Sequence, residues 1–264
     1  MKRFLMPVLG LLMAAETAYA DNWAVNMPVG VTDISILIYD LHMFIFWICV
    51  GIGVAVFGAM IIAMIKFRKS KGAKPATWSH STLAEIIWTV IPIIILVVIS
   101  VPAARALIQI EDTRGTEMTI KITGYQWKWQ YDYIGEDVSF FSSLTQTSNE
   151  ARQLRSDINP RTVENYLLDV DHPLIIPVDT KIRYLITAND VIHSWWMPDF
   201  AVKKDAIPGF INEGWFQVNK IGTYRGQCAE LCGKDHGFMP IVVEVLSKDD
   251  YAAWLRSQKD GSSS

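Results

Sequence analysis

The sequence has little cysteine and little charge for a chain of 264 residues: it contains three cysteines, and Asp, Glu, Lys and Arg together make up 19%. Three cysteines are too few for a fold held together by disulfides. The net charge of -3 provides no basic surface, so we expect no nucleic-acid partner. A content of 51% hydrophobic residues argues against a disordered chain. The composition predicts membrane segments attached to a water-soluble part.

The N-terminus has the pattern of an export signal. Lys2 and Arg3 precede an apolar stretch over residues 4–15, and Ala18, Tyr19 and Ala20 have the form of a cleavage site. The alternative is a short third membrane helix, but the apolar stretch is too short to cross a bilayer. We predict a cleaved signal peptide over residues 1–20.

Two longer apolar runs follow, and neither contains a charged residue. They cover residues 43–65 and 86–104, and each reaches the roughly 20 residues that a helix needs to cross the hydrocarbon core. A buried hairpin of a soluble protein is the alternative, and two uncharged runs of this length argue against it. Residues 21–104 are therefore predicted to contain a two-helix transmembrane hairpin.

The loop between the two runs sets the orientation. Five basic residues precede its first acidic one, Glu85: Lys66, Arg68, Lys69, Lys71 and Lys74. The positive-inside rule places loop 66–85 in the cytoplasm. Residues 105–264 then lie on the outer side of a bacterial inner membrane, in the periplasm, which agrees with the export signal.

From residue 105 onward the pattern changes to short strands. Apolar and polar residues alternate over 118–123, 182–186 and 241–245, and aromatic residues alternate over 125–133, which we interpret as one continuous strand. Short strands separated by Gly, Pro and Asp predict an all-β sandwich or barrel. Residues 142–164 lack this period and are predicted to form a polar surface insertion. Residues 248–259 are predicted to form a closing amphipathic helix.

One short segment concentrates metal-binding side chains. It runs from Cys228 to Met239 and contains two thiols, the imidazole of His236 and a thioether, and His193 lies upstream. Soft sulfur and imidazole ligands suit copper, zinc or iron–sulfur chemistry. Methionine discriminates among these metals, because zinc sites use Cys, His and carboxylate, whereas a blue-copper site uses Cys, two His and a weak axial Met.

The segment offers two thiols, Cys228 and Cys232, although a single blue copper needs only one. If both sulfurs bridge a pair of copper ions, each ion still needs a terminal imidazole, and the two histidines supply these. Met239 would add a weak ligand to one ion, and the backbone carbonyl of Glu230 could serve the other. A pair of metals that shares one unpaired electron changes little in geometry on reduction, as an electron relay requires.

A disulfide between the two thiols is the alternative interpretation. It explains neither the spacing of the neighbouring histidine and methionine nor the upstream histidine, so we favour the metal. The third cysteine, Cys49, lies in the first apolar run and is predicted to be a small core residue.

With these residues in place, the sequence resembles subunit II of the haem–copper cytochrome c oxidases from about residue 31 to residue 254. The matching motifs cover residues 124–129, 205–209 and 226–240. The resemblance implies the fold: a two-helix transmembrane hairpin followed by an all-β cupredoxin-like Greek-key sandwich or barrel. It also implies a binuclear copper A centre, with ligands at His193, Cys228, Cys232, His236, Met239 and the Glu230 carbonyl.

The same resemblance implies further roles. Trp127 matches the residue where electrons enter from cytochrome c, and the Glu230 side chain would join a magnesium site shared with subunit I. Glu85 matches a carboxylate at the mouth of a proton-uptake path, and an ordinary interfacial charge is the alternative. Subunits I and III and membrane lipid are the implied neighbours.

Charge provides a separate argument about the electron donor. Residues 105–264 contain 17 Lys or Arg and 22 Asp or Glu, so this part of the chain is acidic and would steer a basic cytochrome c. Two positions depart from the family: many relatives carry an aromatic residue at the position of Lys128 and an arginine at the position of Phe210. The docking candidates, with ordinary solvated acids as the alternative, are Asp132, Glu136, Asp137 and Asp190.

The resemblance thus implies an electron-transfer subunit of a proton-pumping, oxygen-reducing oxidase, which passes electrons from cytochrome c to haem in subunit I. A quinol oxidase subunit II is one alternative, disfavoured because those relatives lack the copper ligands. A membrane-anchored copper-delivery protein is another, and it would need an exposed, exchangeable site. The sequence contains no Cys-x-x-Cys-His, so we expect no fused c-type haem.

Overall fold

The structure is a computed structural model that describes residues 26–261. The predicted signal peptide lies outside these residues. Two long helices come first: α1 (Asp33–Lys66) and α2 (Thr82–Ile110). Both are long and apolar enough to cross a membrane. Large apolar side chains such as Trp47 and Phe57 are exposed along them, as expected for surfaces that face lipid or another membrane subunit.

The N-terminus of α1 is anchored to the strand domain. Thr32 caps the helix in a reciprocal box with Ser35, and its hydroxyl also donates to the Phe200 carbonyl oxygen at 3.1 Å. The backbone N–H of Val31 donates to the Asp199 carbonyl oxygen at 2.8 Å. The membrane hairpin is therefore hydrogen-bonded to the domain that follows it.

The prediction that Cys49 is a small core residue is wrong for the single subunit. Its side chain is exposed on α1. The reason is that the two helices of a hairpin cover only part of one another, so an apolar residue in either of them often faces outward.

Ten strands follow the helices, arranged as two five-stranded sheets in the orders β3-β2-β1-β5-β8 and β4-β10-β9-β6-β7. The predicted all-β sandwich is confirmed. The strands are β1 (Met118–Tyr125), β2 (Lys128–Tyr133), β3 (Val138–Ser142), β4 (Leu174–Pro177), β5 (Ile182–Ala188), β6 (His193–Met197), β7 (Val202–Ala206), β8 (Asn212–Phe216), β9 (Gly222–Cys228) and β10 (Pro240–Leu246).

The alternating residues of the inner faces form the core between the sheets. Ile120, Ile122, Ile182 and Ile186 are fully buried on β1 and β5, which pair in parallel. On the opposite sheet, Ile241, Val243 and Val245 of β10 are buried in the same way, as their period of two predicts.

The aromatic segment 125–133 is not one strand, so this interpretation is wrong. β1 ends at Tyr125 and pairs with Lys128 at the start of β2, and Gln126 and Trp127 form the turn of a hairpin. The alternation of aromatic residues continues in the same phase on both sides of the turn, so the period alone does not show the break. The turn also lacks Gly, Pro, Asn and Asp, the usual signals.

Two further α-helices follow among the described residues: α3 (Gln146–Ala151), within the polar insertion, and α4 (Lys248–Gly261), after β10. Trp254 of α4 packs against Tyr133, with ring centroids 5.3 Å apart. The predicted closing helix therefore covers one end of the sandwich.

Candidate metal centre

Three of the predicted ligands form a buried cluster where two neighbouring strands meet. His193 is the first residue of β6, and Cys228 is the last residue of β9, its antiparallel partner. The ligand atoms of His193, Cys228 and Cys232 all lie within 4.8 Å of one another. The three residues are 0%, 5% and 2% exposed, respectively, so this is not the exposed, exchangeable site that a copper-delivery protein needs.

The loop after β9 brings the remaining donors to the same place. The Cys232 sulfur lies 3.8 Å from the Cys228 sulfur and 3.5 Å from Nδ1 of His236. The Glu230 carbonyl oxygen is 3.5 Å from the Cys228 sulfur. The backbone N–H of Cys228 donates to the Met239 carbonyl oxygen at 3.1 Å, which closes the base of the loop, and Met239 is buried.

The two sulfurs are free thiols, so the alternative disulfide is not formed. Disulfide sulfurs are about 2.05 Å apart, much closer than these. Two sulfurs bound to one metal ion at about 2.3 Å, with a tetrahedral angle between the bonds, lie about 3.8 Å apart. The observed separation of 3.8 Å therefore suits two thiolates that share metal ions. The set of two thiols, two imidazoles, a thioether and a carbonyl fits copper.

Asp190 fixes the orientation of the His193 ring. Its carboxylate lies 2.8 Å from Nε2 of His193 and accepts the backbone N–H groups of Gln126 and Val191, both at 2.7 Å. With Nε2 occupied by this contact, Nδ1 faces the Cys228 sulfur at 3.9 Å. A carboxylate on the second nitrogen of a ligating histidine is the usual device for orienting the ring.

Charges around the cluster shift the ionisation of its members. Burial alone would lower the pKa of His193, but its contacts with Cys228 and Asp190 outweigh burial and raise the pKa. Burial alone would raise the pKa of Asp190, but hydrogen bonds from His193 and from the two backbone N–H groups lower it. Asp190 is therefore ionised where it contacts His193.

The pKa values of the two thiols are shifted in opposite directions. Burial alone would raise the pKa of Cys228, but the His193 imidazole and backbone groups near the sulfur lower it. Burial raises the pKa of Cys232, and negative charge on the neighbouring Cys228 raises it further. Cys228 therefore ionises first, and a metal must displace the proton of Cys232.

Trp127 contacts the ligand loop directly. Its indole N–H donates to the Cys232 carbonyl oxygen at 3.2 Å, and the side-chain amide of Gln126 donates to the same oxygen at 2.9 Å. Glycine suits position 233, because its φ of +117° is one that other residues rarely adopt, and a Cβ atom there would lie 3.0 Å from this amide nitrogen and 3.2 Å from the indole. Trp127 is half-buried, and thus connects the surface to a ligand residue.

The structure places the docking candidates apart from one another. Asp190 lies at the cluster, whereas Glu136 and Asp137 lie in the turn after β2, at the opposite end of that strand from Trp127. β2 has six extended residues, so its two ends lie about 17 Å apart. Glu136 is paired with Lys259 at 2.5 Å, and Asp132 hydrogen-bonds to Ser139 and Gln130.

Two basic side chains lie close to Trp127. The Lys234 ammonium is 5.6 Å from the centre of the indole, and the Lys128 ammonium is 4.0 Å from the centre of the Phe141 ring. Lys234 thus places a positive charge beside the indole of Trp127.

Glu85 and the Glu230 side chain are both exposed. Glu85 lies in the first turn of α2, at the end of the helix next to the basic loop. The strand domain begins after the other end of α2, which has 29 residues and is about 40 Å long. The structure therefore does not bring Glu85 to the metal-binding cluster, whereas Glu230 belongs to the loop itself.

Sequence reasoning missed several residues that shape the site. The sequence indicates Asp190 only as a docking candidate, with an ordinary solvated acid as the alternative, and no sequence pattern indicates the contact between Gln126 and the ligand loop. Gly124 belongs to the matching motif over residues 124–129, and the structure shows why glycine is required there. A Cβ atom at this position would lie 2.8 Å from Cδ2 of His193. Arg152 lies in the polar insertion and contacts the ligand loop, and no sequence pattern indicates this contact.

Fold and site together define a class: a membrane-anchored metalloprotein whose β-sandwich holds a buried thiol–imidazole centre. The model of the periplasmic domain of cytochrome c oxidase subunit II matches residues 118–246, and that of its transmembrane domain matches residues 20–105. The chain belongs to the cytochrome c oxidase subunit II family. It is a subunit of a haem–copper oxidase complex, with transmembrane helices and a periplasmic domain.

Individual relatives agree with this assignment. The chain is 41% identical over 254 residues to the probable cytochrome c oxidase subunit 2 of Rickettsia bellii, covering 95% of this chain and 91% of that protein. It is 35% identical to cytochrome c oxidase subunit 2 of Cereibacter sphaeroides, covering 85% and 77%. The crystallised periplasmic domain of subunit II of the Bradyrhizobium japonicum cytochrome oxidase is 41% identical, covers 56% of this chain and 98% of that one, and superposes with a TM-score of 0.48.

Proposed function

We propose that this subunit receives electrons from cytochrome c at a binuclear copper A centre and passes them to haem in subunit I. The observation that carries the proposal is the pair of free, buried sulfurs 3.8 Å apart, each with an imidazole nitrogen beside it. A single-metal site needs only one such thiolate. Two thiolates between two imidazoles suit a pair of metals that share both sulfurs.

The residues that would hold the copper come from two strands and one loop. When bound, the copper pair supplies one-electron redox chemistry. The protein supplies fixed ligand positions, because Cys228 and His193 lie on paired strands, and Asp190 holds the His193 ring. Burial of both thiols excludes water from the sulfurs. The proposed ligand set is His193, Cys228, Cys232, His236, Met239 and the Glu230 carbonyl.

Electrons would enter at Trp127. Its ring is partly exposed, and its N–H donates to the carbonyl of Cys232, so one side chain joins the surface to a ligand residue. Acidic side chains of the strand domain would steer a basic cytochrome c at long range, with Asp132, Glu136 and Asp137 as candidates. Asp190 could contribute charge, although its carboxylate is already shared among three groups.

The remaining roles follow the family resemblance. The exposed Glu230 side chain would bind magnesium at the contact with subunit I, and Glu85 would lie at the cytoplasmic mouth of a proton path. The subunit would lie in a bacterial inner membrane. Residues 1–20 would be a signal peptide that is cleaved off. Residues 21–104 would carry the membrane hairpin, and residues 105–264 would form the periplasmic domain, next to subunits I and III.

Copper content tests the proposal. We expect the full-length chain, purified in detergent and loaded with copper, to bind two ions, because the donor set provides two bridging sulfurs and two terminal imidazoles. Its electron-spin spectrum should show hyperfine structure from both copper nuclei. Binding of one ion, with the spectrum of a single copper, would contradict the binuclear assignment. Loss of copper to a chelator should be slow, since the thiols are buried.

Replacement of Trp127 tests the path of the electrons. We expect Trp127→Phe to slow electron transfer from cytochrome c on the order of tenfold, because phenylalanine lacks the N–H that donates to the Cys232 carbonyl. Stopped-flow reduction of the assembled oxidase measures this rate. The copper spectrum should stay unchanged, since Trp127 is not a ligand. The exposed Trp78, in the loop on the other side of the membrane hairpin, provides the control Trp78→Phe. Equal rates in the two variants would remove Trp127 from this role.

A further inference from the structure

The side chain of Arg152, in the polar insertion, contacts the ligand loop. Its guanidinium donates to both carboxylate oxygens of Asp235, with Nη1 to Oδ1 at 3.2 Å and Nη2 to Oδ2 at 3.5 Å. The same guanidinium lies over the ring of Phe238, 4.3 Å from its centre. Asp235 and Phe238 stand on either side of His236 in the sequence, so Arg152 bridges the turn that carries this histidine.

Arg152 is itself held in place. Its Nε–H donates to Oδ1 of Asn149 at 2.8 Å, and its backbone N–H donates to the Ser148 carbonyl oxygen at 3.1 Å, which fixes the residue at the end of α3. The Arg152 and Asp235 side chains are each only 20% exposed. A partly buried, two-pronged ion pair with a stacked ring is more restrictive than an ordinary surface salt bridge.

The two histidines of the cluster differ in their support. His193 has the Asp190 carboxylate on its second nitrogen. The ring of His236 hydrogen-bonds to the Cys232 thiol at 3.5 Å, and no carboxylate among the described residues forms an ion pair with it. The orientation of the His236 ring therefore depends on the short turn His236–Phe238, whose backbone bonds run from His236 to Gly233 and from Phe238 to Asp235.

We propose that Arg152 is a positioning residue for the second half of the metal site. By clamping Asp235 and Phe238 it holds the turn so that the His236 imidazole faces the Cys232 sulfur, and Met239 follows directly after the turn. Arg152 touches neither sulfur, so it acts through the loop. The part of this inference that concerns copper depends on the proposed function, whereas the ordering of the turn does not.

Hydrogen exchange of the metal-free, full-length chain tests the clamp without copper. We expect Arg152→Ala to raise amide exchange over residues 233–239 about tenfold, because the ion pair and the stacked ring are both lost. Arg155→Ala is the matched control, since Arg155 is an exposed arginine of the same insertion. Equal exchange in this loop for wild type and Arg152→Ala would overturn the proposal, as would an equal rise in Arg155→Ala.

Copper supplies the second measurement. We expect copper-loaded Arg152→Ala to lose the metal to a chelator about tenfold faster than wild type and to show altered copper hyperfine splitting. Arg152→Lys should recover part of the effect, because lysine keeps the charge but lacks the planar fork. Phe238→Leu removes only the stacked ring and should give a smaller change in the same direction. A wild-type rate and spectrum in all three variants would overturn a role at the metal, while failure of wild type to bind two ions would refute the proposed function instead.

Discussion

A chain with Cys228→Ser is expected to lose the copper pair. The Cys228 sulfur lies 3.8 Å from the second thiol, 3.9 Å from the His193 imidazole and 3.5 Å from the Glu230 carbonyl, so it is the donor that contacts most of the cluster. Its lowered pKa also makes it the first thiolate available to a metal. A serine hydroxyl stays protonated and is a poor ligand for copper.

We expect this variant to bind at most one ion, with copper affinity reduced by more than about 100-fold, since removal of a direct ligand should exceed the loss seen for outer-shell residues. Metal analysis and the electron-spin spectrum measure both effects. Cys49→Ser is the matched control, because Cys49 is the free cysteine outside the cluster and lies on α1. Circular dichroism should show the same fold in both variants. Retention of two ions by Cys228→Ser would refute the bridging role.

A second large effect is expected from Gly124→Ala, which adds one methyl group behind His193. The new Cβ atom would lie 2.8 Å from Cδ2 and 3.0 Å from Cγ of the imidazole. The ring has little room to move, since it is fully buried and hydrogen-bonded to Asp190. The clash must displace either the histidine or strand β1.

We expect Gly124→Ala to lower the free energy of unfolding by about 1–3 kcal/mol, as overpacking of a core does, and to weaken copper binding at the same time. Chemical denaturation and competition with a chelator measure the two effects. Gly237→Ala is the control: it lies within the ligand loop, but a Cβ atom there meets nothing within 4 Å. It should behave as wild type in both measurements. If Gly124→Ala binds copper normally at unchanged stability, the close packing of Gly124 against His193 has no role.

Much of the fold could be predicted because its signals are local. The alternation over residues 241–245 predicts a strand, and β10 covers Pro240–Leu246. The membrane helices were expected from uncharged runs of sufficient length. However, α1 begins at Asp33, well before the run at residue 43, because its first turn is capped and anchored by contacts with the strand domain.

The candidate site was predictable for a different reason. Five of the six proposed ligands lie within twelve residues of the chain, so the motif alone brings sulfur and imidazole together. The sixth, His193, lies outside this segment: the sequence offers it as the second imidazole, and its place beside Cys228 comes from the pairing of β6 with β9. This strand pairing brings together His193 and Cys228, which are 35 positions apart in the sequence.

The sequence by itself determined the membrane hairpin, the strand-rich domain and the chemical identity of the metal donors. Each of these follows from residue type and spacing along a short stretch. Only the tertiary structure decided that Trp127 occupies a turn, that Asp190 supports His193 and that Arg152 clamps the His236 turn. Trp127 and Arg152 each contact the ligand loop from a distant part of the chain, and Asp190, three residues from His193, also accepts the backbone N–H of Gln126, 64 positions away. A short spacing motif specifies which donors are present, whereas the packing of strands and loops specifies what each donor faces.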